Sequence, residues 1–107
     1  MKIIVHTKTP RKLVDRINNK ITKNEIRTWE IKDTTTGFVY NHTPEQWNDK
    51  ALIKPDIHDN NLLLEIVWWE SVYEPGDDIK GYIIGRFTEL LMVHCSDSFD
   101  YLEVRYS

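Results

Sequence analysis

The segment ALIKPDIHDNNLLLEIVWW, residues 51–69, predicts a β-hairpin that organises an antiparallel sheet. Two apolar runs flank the polar turn DNN, Asp59–Asn61. The second run, LLLEIVWW, is apolar on both faces, so we expect it to be an interior strand. Pro55 in the first run has no backbone N–H to donate to a sheet ladder, which predicts an edge position or a bulge for its strand.

The residues before this hairpin predict a strand, a helix and another hairpin. The β-branched run KIIVHT predicts the strand, and Thr9 followed by Pro10 is a typical helix start. Apolar residues then recur at helical spacing, at Pro10, Leu13, Val14, Ile17 and Ile21. The runs EIRTWEIK and FVYNH flank the turn DTTTG, where Gly37 supplies a permissive backbone, so they should pair as a hairpin.

The residues after residue 69 predict one long helix and one strand. The helix should run from about Asp78 to Cys95, and the strand YLEVRY should bury Leu102, Val104 and Tyr106. The complete order predicts a single α+β domain over residues 1–107, with a largely antiparallel sheet and two main helices. A ferredoxin-like split β-α-β arrangement with an extra hairpin and a short helix fits this order.

Composition favours a globular cytoplasmic protein. The 107 residues are 40% hydrophobic and 29% charged, which suits one packed core. No apolar run approaches the ~18 residues that a membrane span needs, and the N-terminal apolar run is too short for a signal peptide. The single Cys95 cannot form an internal disulfide, which favours a reducing compartment. We therefore expect no membrane association.

Charge is distributed unevenly along the chain. Residues 1–54 carry 11 Lys and Arg against 6 Asp and Glu, whereas residues 55–107 carry 3 against 11. On the first helix, basic residues lie opposite the apolar stripe, at Lys12, Arg16, Lys20 and Lys23. This row could bind nucleic acid or another polyanion, or it could be the solvated side of an amphipathic helix. The net charge of -3 counts against nucleic acid.

The stretch FVYNHTPEQW, residues 38–47, contains the residue types of a site. Thr43 to Gln46 form a capping box with Pro44 at the first helical position, which predicts a short helix. His42 and Trp47 are not explained by capping, and with His6 they would form a small-molecule or metal pocket if their strands pair. The four histidines have no recognised metal spacing. No catalytic motif is present, so we expect no cofactor and lean against an enzyme.

The last helix has an unusual outer face. Its apolar face contains Ile79, Ile83, Phe87, Leu90 and Leu91. The opposite face carries Gly81, Gly85, Thr88 and Met92 instead of charges. A helix without a charged outer face is usually covered. Either another part of this chain covers it, or it is the contact of a homodimer or a protein partner. The adjacent Trp68 and Trp69 should point to opposite faces of their strand.

With Trp29 upstream, two segments carry a family resemblance. HTPEQW, His42–Trp47, and GRFTELL, Gly85–Leu91, resemble the corresponding segments of a group of small bacterial proteins of unassigned function. The likeness spans most of the chain. It implies a stand-alone bacterial cytoplasmic domain, and it brings no activity, cofactor, partner or catalytic residue.

Overall fold

A computed structural model describes residues 1–106 and contains a six-stranded antiparallel sheet with two α-helices on one of its faces. A short 3₁₀ helix, Ser96–Ser98, precedes the last strand. The strands and helices are β1 Lys2–His6, α1 Pro10–Thr22, β2 Trp29–Thr34, β3 Gly37–His42, β4 Leu52–Ile57, β5 Asn61–Val67, α2 Asp77–His94 and β6 Tyr101–Arg105.

The strand order is β2-β3-β4-β5-β1-β6. β5 and β6 both pair antiparallel with β1, one on each side, so α2 links two parallel strands around β1. The strands from β2 to β5 follow one another as a meander, and β5 lies inside the sheet as its doubly apolar sequence predicted. The α+β class is therefore confirmed, and the order is compatible with a ferredoxin-like arrangement that carries an extra hairpin.

The core lies between the helices and one sheet face. α1 contributes its predicted stripe, with Leu13 and Ile17 fully buried. α2 contributes Phe87, whose ring meets Trp29 edge-on at 4.9 Å and lies 5.2 Å from the ring of Tyr40. The two turn predictions are also confirmed, and Gly37 has a φ of 151° that side-chain-bearing residues rarely adopt. We call the opposite side of the sheet the helix-free face.

The position of Pro55 corrects the expectation of an edge strand. β4 lies between β3 and β5, and it pairs with β5 along its whole length. Its pairing with β3 is limited to Leu52 and Ile53. Pro55 thus lies beyond the short ladder with β3, where a missing N–H breaks no hydrogen bond on that side.

The capping-box segment forms consecutive turns instead of the predicted short helix. The N–H groups of Trp47 and Asn48 donate to the carbonyl oxygen of Pro44 at 2.8 and 2.9 Å. The next residue, Asp49, has a left-handed backbone with φ 59° and donates its N–H to the side chain of Asn41. This bond turns the chain into β4 before a second helical turn forms.

The prediction of a buried face on β6 is wrong for most of the strand. Leu102 is half-buried, but Val104 is 53% exposed and Tyr106 is 68% exposed. β6 is an edge strand that pairs only with β1. Its outer residues consequently lie at the border of the core, and the Tyr106 hydroxyl donates to Asp77 at the start of α2.

Candidate functional site

The outward face of α2 is open to solvent. We define the outer strip as Gly81, Gly85, Thr88 and Met92. Both glycines are exposed, and a Cβ built on either would meet no atom within 4 Å beyond its immediate helical surroundings. Met92 is 55% exposed, and beside it Val93 is 68% exposed. No segment of residues 1–106 covers the two glycines of the strip. The alternative that another part of the chain covers them is therefore wrong for the described residues.

One border of the outer strip is a column of stacked side chains. Trp47 stacks on Tyr82 with ring centroids 3.9 Å apart. Arg86 lies over the same tyrosine at 5.0 Å and donates to its hydroxyl oxygen at 2.8 Å. Arg86 also pairs with Glu89 at 3.4 Å. Trp47 thus packs against α2, but it covers Tyr82 and leaves the two glycines exposed.

The structure does not bring together the three residues of the predicted ligand pocket. β1 and β3 are separated by β4 and β5, so the strands of His6 and His42 do not pair. His6 lies on the helix-free face, where it bonds Glu103 at 2.8 Å and stacks on Tyr101 at 4.2 Å. His42 lies on the helix face, and Trp47 contacts α2. Within residues 1–106 there is no group of three or more side chains able to hold a metal ion.

His42 is a buried structural histidine. Its Nδ1 lies 2.8 Å from the carbonyl oxygen of Thr28, and its ring packs on Trp29 at 4.5 Å. A cavity of about 120 Å³ beside it is bounded by Leu90 and Val93 of α2. Burial lowers the pKa of His42, so the ring is held neutral and Nδ1 carries the donated hydrogen.

The basic row on α1 is partly neutralised. Arg16 forms an ion pair with Asp97 at 2.5 Å and donates to the hydroxyl of Ser98 at 2.6 Å. The hydrogen bond from Arg16 lowers the pKa of the Asp97 carboxyl, which keeps the pair charged. Lys12, Lys20 and Lys23 form no ion pair with the described residues. The row therefore presents three separate lysines.

A groove of about 880 Å³ lies on the helix-free face and was not predicted from the sequence. Val39, Leu52 and Val67 form its floor, and the β2–β3 turn and the segment after β5 form its walls. Trp68 and Trp69 both line it. Lys80 of α2 lies over the ring of Trp68, whereas Lys32 of β2 lies over the ring of Trp69, which is consistent with the expectation that the two side chains point to opposite faces.

Two further features bear on the chemistry of the chain. Cys95 is fully buried, and burial raises the pKa of its thiol, which leaves it inert as a nucleophile. Within residues 1–106, no helix has the length and apolar character needed to span a bilayer.

Comparisons with known proteins give no assignment. No protein-family model matches the chain, and no significant similarity was found to a curated protein or to a solved structure. The function is therefore argued from the geometry of the surfaces described above.

Proposed function

We propose that the protein acts as a homodimer whose copies meet through the outer strip of α2. The observation that carries this proposal is the exposure of two helical glycines, at which an added Cβ would meet no neighbour among residues 1–106. A glycine in a helix interior costs about 1 kcal/mol relative to alanine. Gly81 and Gly85 gain no compensating contact within residues 1–106. A second helix could approach closely at both positions because glycine has no side chain to keep it away.

The spacing of the strip suits an antiparallel pair of α2 helices related by a two-fold axis. Gly85 lies three residues before Thr88, and Met92 lies four residues after it. At 1.5 Å per residue these positions are about 4.5 and 6 Å from Thr88 along the axis. If the helices cross at Thr88, Met92 of the partner subunit comes opposite Gly85, and the two-fold axis repeats this contact.

The charges at the border of the strip are self-complementary in the same arrangement. Arg86 lies two residues before Thr88, and Glu89 lies one residue after it. Two-fold symmetry places both residues on the same side of the dimer, so Arg86 faces Glu89 of the partner subunit. A second copy thus supplies Met92 to pack on Gly85. It also supplies a residue of opposite charge to each of Arg86 and Glu89.

Light scattering coupled to size exclusion tests the homodimer. The wild-type protein should have the mass of two chains, and Gly85→Lys should have the mass of one, because a long charged side chain prevents close approach of the helices. The lysine should leave the fold intact, since space at residue 85 is open. The matched control is Asn19→Lys on the exposed side of α1, which should retain the wild-type mass.

Two results would contradict the proposal. One is a wild-type protein that stays monomeric as its concentration is raised. The other is a Gly85→Lys variant that keeps the mass of a dimer, which would locate the contact on another surface.

A further inference from the structure

The edge strand β6 has unpaired backbone groups on one side. It pairs with β1, and no strand among residues 1–106 lies on its other side. In an antiparallel pair, successive residues direct their backbone N–H and C=O groups alternately toward one neighbouring strand and away from it. The alternation along β1 therefore decides which residues of β6 have free groups.

Hydrogen bonds at the end of β1 fix this alternation. The N–H of Thr7 donates to the carbonyl oxygen of Asn60 at 3.3 Å, so the odd-numbered residues of β1 direct their backbone groups toward β5. The even-numbered residues direct theirs toward β6, where the carbonyl oxygen of His6 accepts from the N–H of Asp100 at 2.8 Å.

The register between β1 and β6 transfers this alternation to the edge. The even-numbered residues of β1 lie opposite Tyr101, Glu103 and Arg105, which therefore use their backbone groups on β1. Leu102 and Val104 direct their N–H and C=O groups outward. The free edge thus has two residues ready to bond another strand.

The side chains of β6 are divided by polarity between the two faces of the sheet. Leu102 and Val104 lie opposite buried residues of β1 on the helix face, and Tyr106 follows on the same side. Glu103 and Arg105 lie on the helix-free face, where they pair with each other at 3.2 Å. One side of the edge is therefore apolar, and the other carries one charge of each sign.

We infer that β6 pairs with β6 of a second copy, in an antiparallel two-fold register centred on Val104. Val104 then bonds Val104 of the partner subunit, and Leu102 bonds Tyr106 of the partner subunit, so the outward backbone groups are satisfied. The same register places Glu103 opposite Arg105 of the partner subunit, and the two-fold axis repeats this pair. The contact uses no residue of the outer strip, so it is independent of the proposed α2 homodimer.

Neighbouring registers lose this match. A shift of one residue places the outward groups opposite residues whose groups are used on β1. A shift of two residues restores the hydrogen bonds, but it places either Glu103 or Arg105 opposite its own copy, and like charges directly opposite each other are unfavourable. Charge therefore selects one register among those that the backbone allows.

The other edge strand, β2, does not offer this match. The N–H of Thr43 donates to the carbonyl oxygen of Thr28 at 2.8 Å, so by the same alternation the outward groups belong to Trp29, Ile31 and Asp33. A two-fold pairing centred on Ile31 would place Asp33 of the partner subunit opposite Trp29, which is 4% exposed. A charge of this kind opposes pairing at an edge.

Amide hydrogen exchange followed by ¹H–¹⁵N NMR tests the inference on the full chain. β6 has five residues, so the contact is smaller than a standard interface and should form at high protein concentration. The amides of Leu102 and Val104 should exchange about twofold or more slowly at millimolar than at micromolar concentration, because a half-populated contact halves the exposed fraction. The outward amide of Ile31 is the internal control and should exchange equally at both concentrations.

Gly85→Lys is the background for this measurement, so that contact through α2 does not contribute. A wild-type protein that is monomeric in light scattering contradicts the α2 homodimer, and it leaves the exchange test of β6 unaffected. The two proposals therefore fail separately.

Charge exchange tests the register. Arg105→Glu should abolish the concentration dependence, because it places two carboxylates opposite each other on both sides of the two-fold axis. Addition of Glu103→Arg to this variant should restore it. Val104→Lys should also abolish it, because it places two ammonium groups opposite each other at the axis. Lys54→Glu is the matched control, since it makes the same charge reversal as Arg105→Glu at an exposed residue of β4 on the same face.

Three outcomes would overturn the inference. Exchange at Leu102 and Val104 that is independent of concentration excludes an edge contact. Equal slowing at Ile31 shows that the association is not specific to β6. The register is excluded by slowing that persists in both Arg105→Glu and Val104→Lys, or by a double variant that does not restore it.

Discussion

The two helices pack on the same sheet face, but their outer faces differ. α1 turns lysines and Arg16 toward solvent, and that arginine is tied to Asp97 within the chain. α2 turns two glycines, Met92 and Val93 toward solvent. Because both helices meet the core with equally buried apolar side chains, packing on the sheet does not explain the difference. The outer face of α2 is the surface on which the proposed homodimer rests.

Substitutions at the buried faces should have the largest effect and should be similar for both helices. Phe87→Ala in α2 should lower the free energy of unfolding by about 3–5 kcal/mol, and Ile17→Ala in α1 by about 2–5 kcal/mol, because each leaves a cavity. Both side chains are fully buried. Urea denaturation followed by circular dichroism at one protein concentration measures the loss. A loss below about 1 kcal/mol at either residue would show that its helix is loosely packed.

Removing a glycine from the outer face of α2 and introducing one on the outer face of α1 should have opposite effects on the free energy of unfolding. Gly81→Ala should stabilise the monomer by about 1 kcal/mol, since alanine is the better helix former and its Cβ meets no other atom within 4 Å. Lys12→Gly in α1 should destabilise by about the same amount. Thermal unfolding of dilute protein measures both changes. A destabilising Gly81→Ala would mean that the glycine is needed within the monomer.

Acid should weaken the packing beneath α2 through His42. Burial lowers the pKa of this histidine in the folded state, so the unfolded chain binds the proton more readily. The contribution of neutral His42 is fully present above its ordinary pKa of 6.5, and it is lost as the pH falls through that value toward the folded pKa.

The free energy of unfolding of the wild type, measured between pH 8 and pH 5, should therefore fall on the acid side, and His42→Gln should reduce this slope. An unchanged slope in His42→Gln would assign the acid sensitivity to another group.

The smallest effect is expected where α1 meets solvent. Arg16→Ala removes the ion pair with Asp97, whose side chain is 76% exposed. Exposed ion pairs contribute about 0–1 kcal/mol, so the free energy of unfolding should change by no more than that. Chemical denaturation in low and high salt measures the change. A larger loss would show that Arg16 holds the 3₁₀ helix against α1.

The sequence pattern was sufficient for the elements whose residues interact locally. The apolar stripe of α1, the turn at Gly37 and the hairpin around Asp59–Asn61 were predicted and are observed. The outer strip of α2 was also predictable, because helical periodicity alone assigns Gly81 and Gly85 to one side. These features depend on neighbours within a few residues, which a pattern records directly.

Predictions that needed distant neighbours were less successful. An interior strand tolerates Pro55 because β3 pairs with only part of β4. His6 and His42 do not meet because two strands separate β1 from β3. Trp69 borders a groove because folding brings the end of β5 close to the β2–β3 turn. In each case the outcome depends on strand order or strand length, which local periodicity does not record.

The sequence by itself determined the α+β class, the amphipathic first helix and the two glycines on the outer face of the second. Only the tertiary structure decided that residues 1–106 leave these glycines uncovered and that the end of β5 meets the β2–β3 turn at a groove. The physical reason is the range of the interactions. Helix faces follow from residues three and four apart, whereas a surface and a groove are made by segments that folding brings together.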